Sequence, residues 1–343
     1  MPDSYTITSH DFKKVENDIL ELWDNNGYKN RKKLLEWAFG DYCFKCPMKS
    51  SFFVVRYAQS IVGCCGVVER KMKIGEEIFV SGYPNNFLID KKHRSLGPAL
   101  KVQKNVMNLK IYQLVYAIPN DKSDGVLKRA GYQQIGKMER WVLVLKTEKY
   151  LRKVFKRPVF LRSITVAADL LLSAKYVFKG INKKNITADI IDAFDERFDA
   201  LWEKANKNYE IVGERCSEYL NWRFTNYPVI DYKIFVLQDL NSNLIAYLVF
   251  YKSKLGYVIE DLFAESEKDY VYLLEQFLKF SKKQSIDAIS IRFFGKEEVF
   301  TALDDVGFKK RSDSNSVLVF SKNKNDEIYN KDNWFLTAAD MDV

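Results

Sequence analysis

With 343 residues the chain exceeds one ordinary hydrophobic core, so two domains are expected, and its 47% apolar content can pack them. Aromatic residues at 15%, with 24 Phe and 20 Tyr, favour strand-bearing domains over a helical bundle, which points to an α/β class of the α+β, mixed-sheet kind. The net charge of +9 resides entirely in residues 146–184, where eleven basic residues stand against two acidic ones; the balance elsewhere disfavours a nucleic-acid surface spread over both domains, and no specific nucleic-acid partner is expected.

Residues 1–30 are polar with helical patterning, without a signal peptide or anchor, so a cytoplasmic protein is expected. Phe12, Val15, Ile19, Leu20, Leu22 and Trp23 recur at helical spacing, with Ser9 or Asp11 placed to cap. A second helix spans 31–39. Five cysteines, at 43, 46, 64, 65 and 216, are too few and too scattered for a disulfide framework. Cys43-Phe-Lys-Cys46 has no second pair and only His10 and His93 to join it, so no metal is expected. Residues 51–57 and 61–72 read as strands joined by Ala58-Gln59-Ser60, a hairpin. Another strand runs over 75–89, interrupted at Gly82-Tyr83-Pro84-Asn85-Asn86.

Phe87-Leu88-Ile89 then passes through the basic turn Asp90-Lys91-Lys92-His93-Arg94 into an amphipathic helix bearing Ala99, Leu100, Val102, Val106 and Met107. A helix N-terminus offers free N–H groups and the positive end of the macrodipole. With Arg94 beside it and no side chain at Gly97, this one can hold a phosphate or pyrophosphate. A strand over 111–118 follows, then Pro119-Asn120-Asp121-Lys122-Ser123, a short helix to Ala130-Gly131-Tyr132, and strands over 133–145.

Arg94-Ser95-Leu96-Gly97-Pro98-Ala99 is similar to the Q/R-x-x-G-x-G/A signature of the GNAT acyltransferases, and Asn120 with Ser123 resembles the family's next motif, an Asn and Ser beside the cofactor arm. The resemblance implies that Leu88, Ile89, Arg94, Ser95, Leu96, Gly97, Pro98, Ala99, Asn120 and Ser123 hold acetyl-CoA or another acyl-CoA. It also likens the interruption at 82–86 to the bulge where the family splays its central strands. Two departures stand out. Leu127 occupies the place, four residues after the motif Ser, where many relatives carry a catalytic Tyr, and Pro98 removes one N–H from the turn, although proline suits a first helical turn.

Leu35-Glu-Trp37-Ala-Phe39 returns as Leu220-Asn-Trp222-Arg-Phe224, and the hairpin, strand, helix, strand and helix that follow return over 235–308. The second copy lacks the phosphate turn: Phe263-Ala-Glu-Ser-Glu-Lys-Asp269 would repel a pyrophosphate. The expectation is two tandem GNAT-like domains, the second degenerate: residues 1–145 with the acyl-CoA site, a basic helical connector at 146–205, and residues 206–343. A cut near Lys184 is expected to separate two compact units. The stretch 146–184 can meet an anionic membrane surface or groove, or serve as a solvated connector. The tail from Asn333 resembles the endings of GNAT-like proteins of polysaccharide-biosynthesis clusters and is expected to fold back.

Acyl transfer needs a polarised thioester carbonyl, a deprotonated nucleophile and a protonated leaving thiolate. The resemblance assigns the first to a backbone N–H of Phe87, Leu88 or Ile89. Glu69, Glu76, Glu77 and Asp90 are the candidate bases, with Tyr116 or Tyr132 as acids; Glu69, Asp90 and Tyr116 are carried forward as catalytic. The expected activity is N-acyltransfer to an amine, on an amino sugar or cell-surface precursor, anionic or saccharide. Alternatives are a Fem-type aminoacyltransferase using aminoacyl-tRNA and a non-catalytic sugar- or protein-binding scaffold.

Overall fold

Alternation along the strands decides which face each residue serves. In β3 (Ser60–Ile74) Cys65 and Val67 join the core beneath α3 (Leu96–Asn108) and α4 (Asp121–Ala130), whereas Met72 joins a separate core on the other face. The computed structural model describes residues 5–40, 51–146, 185–284, 286–322 and 326–341. Cys43, Cys46 and all of the basic stretch 146–184 except Lys146 lie outside the described residues.

β1 (Thr6–His10), β2 (Ser51–Tyr57), β3 and β4 (Glu77–Ile89) run antiparallel, and β5 (Leu114–Ala117) lies parallel to β4. The neighbour of β5 is not β6 (Gln133–Val144) but β13 (Lys309–Ser321); β6 in turn lies between β13 and β12 (Ala288–Gly295). Each half therefore lends its last long strand to the other. The sheet continues through β11 (Gly256–Ala264), β10 (Leu244–Ser253) and β9 (Lys233–Asp239) to the edge strand β7 (Ile186–Ile191). Residues 186–205, read from sequence as part of a helical connector, thus include β7, paired along its length with β9, and α5 (Glu196–Ala205), packed into the second core. Nor do the described residues begin with a helix: β-branched Thr6, Ile7 and Thr8 pair with β2 before α1 (Glu16–Asn25) and α2 (Lys32–Phe39).

The tail folds back as expected. β14 (Trp334–Thr337) pairs antiparallel with β12 and parallel with β8 (Ile211–Gly213), and β8 pairs antiparallel with β3. Following the pairs β3-β4-β5-β13-β6-β12-β14-β8 leads back to β3, a closed ring of eight strands. Such a ring is just wide enough to be filled by side chains. Met72, Leu114, Tyr116, Met138, Val317 and Trp334 fill it.

The repeated tryptophans meet. Trp37 on α2 and Trp222, just after α6 (Ser217–Leu220), stack with ring centroids 4.5 Å apart and planes 7° from parallel, and each indole N–H donates to the other's backbone carbonyl, at 2.9 and 3.3 Å. Reciprocal contacts of this kind are what a local two-fold relation produces.

Candidate functional site

β4 is one continuous strand through Gly82–Asn86, where an interruption was expected, and the irregularity falls at its end. Gly66 pairs with Asn85 and Cys64 with Leu88, so Asn86 and Phe87 together face Cys65: a β-bulge. Asn86 takes φ +50°, a left-handed conformation that asparagine tolerates better than most residues. Its side chain is fixed by Arg31, whose Nη2 donates to Oδ1 at 2.6 Å, and its carbonyl accepts from the Cys64 thiol at 3.5 Å.

The bulge lies where β4 leaves β5. Their ladder holds Gly82 opposite Val115 only, and beyond it the strands diverge around a cleft of about 390 Å³. Leu88 and Phe87 line one wall and Ala117, Ile118 and Pro119 the other; Asn120, Ser123 and Leu127 approach from α4. Backbone groups along a strand edge need partners, and this edge of β4 can supply them to a bound molecule.

The turn after β4 is built by Asp90, whose carboxylate accepts from the Lys92 N–H at 2.8 Å and the Asn26 amide at 3.0 Å. Burial raises its pKa, but these two bonds and the charges of His93 and Lys92 outweigh that and hold the carboxyl below its usual range. Asp90 therefore shapes the turn and is a weak proton acceptor at neutral pH. Arg94 lies exposed, its Nε and Nη2 donating weakly to the Ile89 carbonyl at 3.4 and 3.5 Å. Ser95 is the N-cap of α3 without a side-chain bond to the helix, and the first turn has no acidic residue, so its positive end is not neutralised locally. A Cβ at Gly97 would meet nothing within 4 Å; the fold does not require glycine there. Pro98 and Ala99 are buried in the first helical turn. Asn120 caps α4, its Oδ1 accepting from the Lys122 and Ser123 N–H groups at 3.0 and 3.2 Å and from the Ser123 hydroxyl at 3.1 Å.

The other candidates scatter. Glu69 points away from the cleft to the α3 side, where Tyr112 donates to it at 3.1 Å. Glu76 and Glu77 sit at the opposite end of β4. Tyr132 is buried and donates to Gln103 at 3.5 Å. Tyr116 faces the interior of the ring and donates to the Asp340 carbonyl at 3.3 Å; burial, then Asp340, pushes its pKa well above the usual value, so the phenol stays protonated. Burial likewise pushes the Cys64 thiol up to about 12, which removes it as a nucleophile.

Sequence reasoning passed over the cavity beyond Tyr83 and Asn85, which also line the cleft. Its wall includes Arg70, Tyr116, Tyr219, Trp222 and Asp340. Arg70, Asp340, Arg215 and Asp261 form a buried chain of ion pairs at 3.0, 2.7 and 3.1 Å. Asp340 feels burial first, which raises its pKa, yet Arg215 and Arg70 together hold it below the usual carboxylate range. The repeated Trp, the tail expected to fold back and Tyr116 were the signals in the sequence for this region.

The mixed sheet, with central parallel strands β4 and β5 parting at a bulge, matches the fold of the GNAT N-acyltransferases. Solved structures place the chain there. A probable N-acyltransferase from Enterococcus faecalis V583 matches with a TM-score of 0.66 over 93% of this chain and 73% of its own, at 8% identity. A GCN5-related N-acetyltransferase from Anabaena variabilis matches at 0.64, covering 93% and 73%, with 11% identity. Saccharomyces cerevisiae N-myristoyltransferase with bound myristoyl-CoA matches at 0.56, covering 93% and 83%, with 16% identity. No protein-family model and no curated protein matches the sequence. Among the described residues no helix is long and apolar enough to cross a membrane.

Proposed function

We propose that the chain is an acyl-CoA-dependent N-acyltransferase made of two GNAT-like copies, with one donor site, in the first. The observation that carries the reading is the parting of β4 and β5 at the Asn86 bulge, in line with the uncapped start of α3. The pyrophosphate lies on the α3 N–H groups beside Arg94 and Gly97, and the pantetheine arm lies between β4 and Asn120 with Ser123. The thioester carbonyl faces the N–H groups at Phe87–Ile89. Preorganised backbone donors of this kind stabilise the oxyanion without moving.

The acceptor is a neutral amine, on an amino sugar or a cell-surface precursor. Its nitrogen attacks the thioester carbon; the C–N bond forms, the C–S bond breaks with its electron pair on sulfur, and the proton released by nitrogen balances the one taken up by the thiolate. None of the three catalytic candidates lines the cleft; Tyr116 lines the cavity behind it, its hydroxyl already donating to the Asp340 carbonyl. Leu127, buried against the cleft, supplies no phenol.

Calorimetry with acetyl-CoA tests the reading: at a hundred times its dissociation constant the ligand should stabilise the native state by about 2.7 kcal/mol. Arg94→Glu should weaken binding more than tenfold, about 1.4 kcal/mol or more, with stability changed by less than about 0.5 kcal/mol, because the residue is exposed. Unaltered affinity in the folded variant would sink the donor-site assignment.

A further inference from the structure

The donor cleft leaves the cavity behind it unexplained. The two share Tyr83, Asn85 and Met341, so one molecule can extend from the thioester into the cavity. At its wall Arg70 is only 3% exposed. Its Nη2 bonds Asp340 at 3.0 Å, and its guanidinium lies over the Tyr219 ring, 3.5 Å from the centroid. Gly213 leaves room for this: a Cβ there would sit 2.4 Å from Nη2. The guanidinium is thus held flat and fixed. Its Nε and Nη1 have no hydrogen-bond partner.

Asp340 does not neutralise this head alone, because its other oxygen binds Arg215 at 2.7 Å. Arg223, which donates to the carbonyls of Ala338 and Ala339 at 3.1 Å each, brings a second cation to the same cavity. A rigid, buried guanidinium with donors to spare can hold a planar anion at its Nη1 end, where the N–H groups would otherwise carry their desolvation cost unrelieved.

We propose that this cavity is the acceptor's recognition subsite and that the acceptor carries a carboxylate, held by Arg70. The inference rests on the acyltransferase reading above. Size favours a small anionic group: the cavity is about 30 Å³, room for roughly two waters at about 10–15 Å³ each, which suits a carboxylate. Strand spacing selects the acceptor's shape. Arg70 pairs with Ser81 and Gly66 with Asn85, so the two rows are four residues apart on β3, roughly 13 Å. Amine and carboxylate therefore occupy opposite ends of an elongated acceptor rather than one carbon.

The test uses the full chain. Acetyl-CoA binding is first measured by calorimetry without acceptor, and its absence would remove the donor site and this inference with it. With binding established, thiol release is followed for unbranched ω-amino carboxylic acids of increasing length, the matching carboxamides and phosphate monoesters, and α-amino acids. The ω-amino acids should exceed their carboxamides at least tenfold in kcat/KM, mainly through KM, with α-amino acids and phosphates poorer. Arg70→Gln should bring the carboxylate-to-carboxamide ratio close to one; if that variant fails to fold, the wild-type ratio decides alone. Equal turnover of acid and amide, preference for α-amino acids or phosphates, or no thiol release from any ω-amino acid would overturn the inference.

Discussion

The central parallel pairs of the two halves, β4–β5 and β11–β12, part in the same way and end differently. β11 and β12 pair from Gly256 opposite Ala288 to Ile259 opposite Ile291. Beyond that point β14 runs along β12, with Phe293 opposite Thr337 and Gly295 opposite Phe335. Below it, Asp261 accepts from Arg215 at 3.1 Å and from the Thr337 hydroxyl at 2.7 Å. Gly295, at φ +129°, permits the approach: a Cβ would stand 1.7 Å from the Trp334 carbonyl. In the first half the corresponding gap is the cleft. Divergent strands leave backbone groups in want of partners, and the second half satisfies its own with the tail.

The following helices differ to match. α7 (Glu267–Lys283) carries Glu267 and Asp269 in its first turn, and the Ser266 hydroxyl donates to Asp269 at 2.5 Å, so the positive end is neutralised from within. α3 has no acid there. One gap and one helix end are closed internally, and the other pair is left to a ligand.

The largest way to break this comparison is to cut the chain after Lys184. Because β13 lies between β5 and β6, and β6 between β13 and β12, neither piece alone should show a cooperative melt, whereas the two co-expressed should associate and melt together. Independent melts of separated pieces, as the sequence repeat leads one to expect, would show the exchange to be dispensable.

Next comes the tail's anchor. Asp340→Asn leaves Arg70 and Arg215 each short of a buried carboxylate and should cost about 3–5 kcal/mol in urea unfolding. The native pKa of Asp340 lies below its unfolded value of about 3.9. Its contribution is therefore full above that value and lost as pH falls through the native pKa. Wild-type stability should fall over that acid range more steeply than the variant's; parallel curves would mean the ion pairs contribute nothing.

The smallest effect sharpens the contrast between the helix ends. Gly97→Ala meets open space and should stabilise the unliganded protein by about 0.4–1 kcal/mol while weakening acetyl-CoA severalfold. A gain in stability with undiminished affinity would move the pyrophosphate away from α3.

What was legible in the sequence is what depends on near neighbours. The turn from Asp90 to Ala99 and the cap at Asn120 have local signatures; the turn leads into α3, and Asn120 caps α4 at the cleft wall. The Trp37 and Trp222 repeat pointed to two like halves; that the two rings touch was not legible. Partners distant in sequence were illegible. Arg70 stands in Glu69-Arg70-Lys71, which reads as surface charge, and only pairing with the tail buries it. The bulge expected over Gly82–Asn86 falls at the last of these residues, Asn86, which takes positive φ, while the strand runs unbroken through Gly82 and Pro84.

The strand exchange also bears on how the chain reaches its native state. Ala117 finds its partner in Leu318, and Ile289 in Leu143. A ribosome has released nearly the whole polypeptide before the first half can complete its sheet, and the entropy of closing so long a loop comes due before the pairing that offsets it. Until then β5 and β6 are bare edges, open to the wrong neighbour. Slow refolding, and aggregation that worsens with protein concentration, are the expected signature of a molecule whose halves must wait for each other.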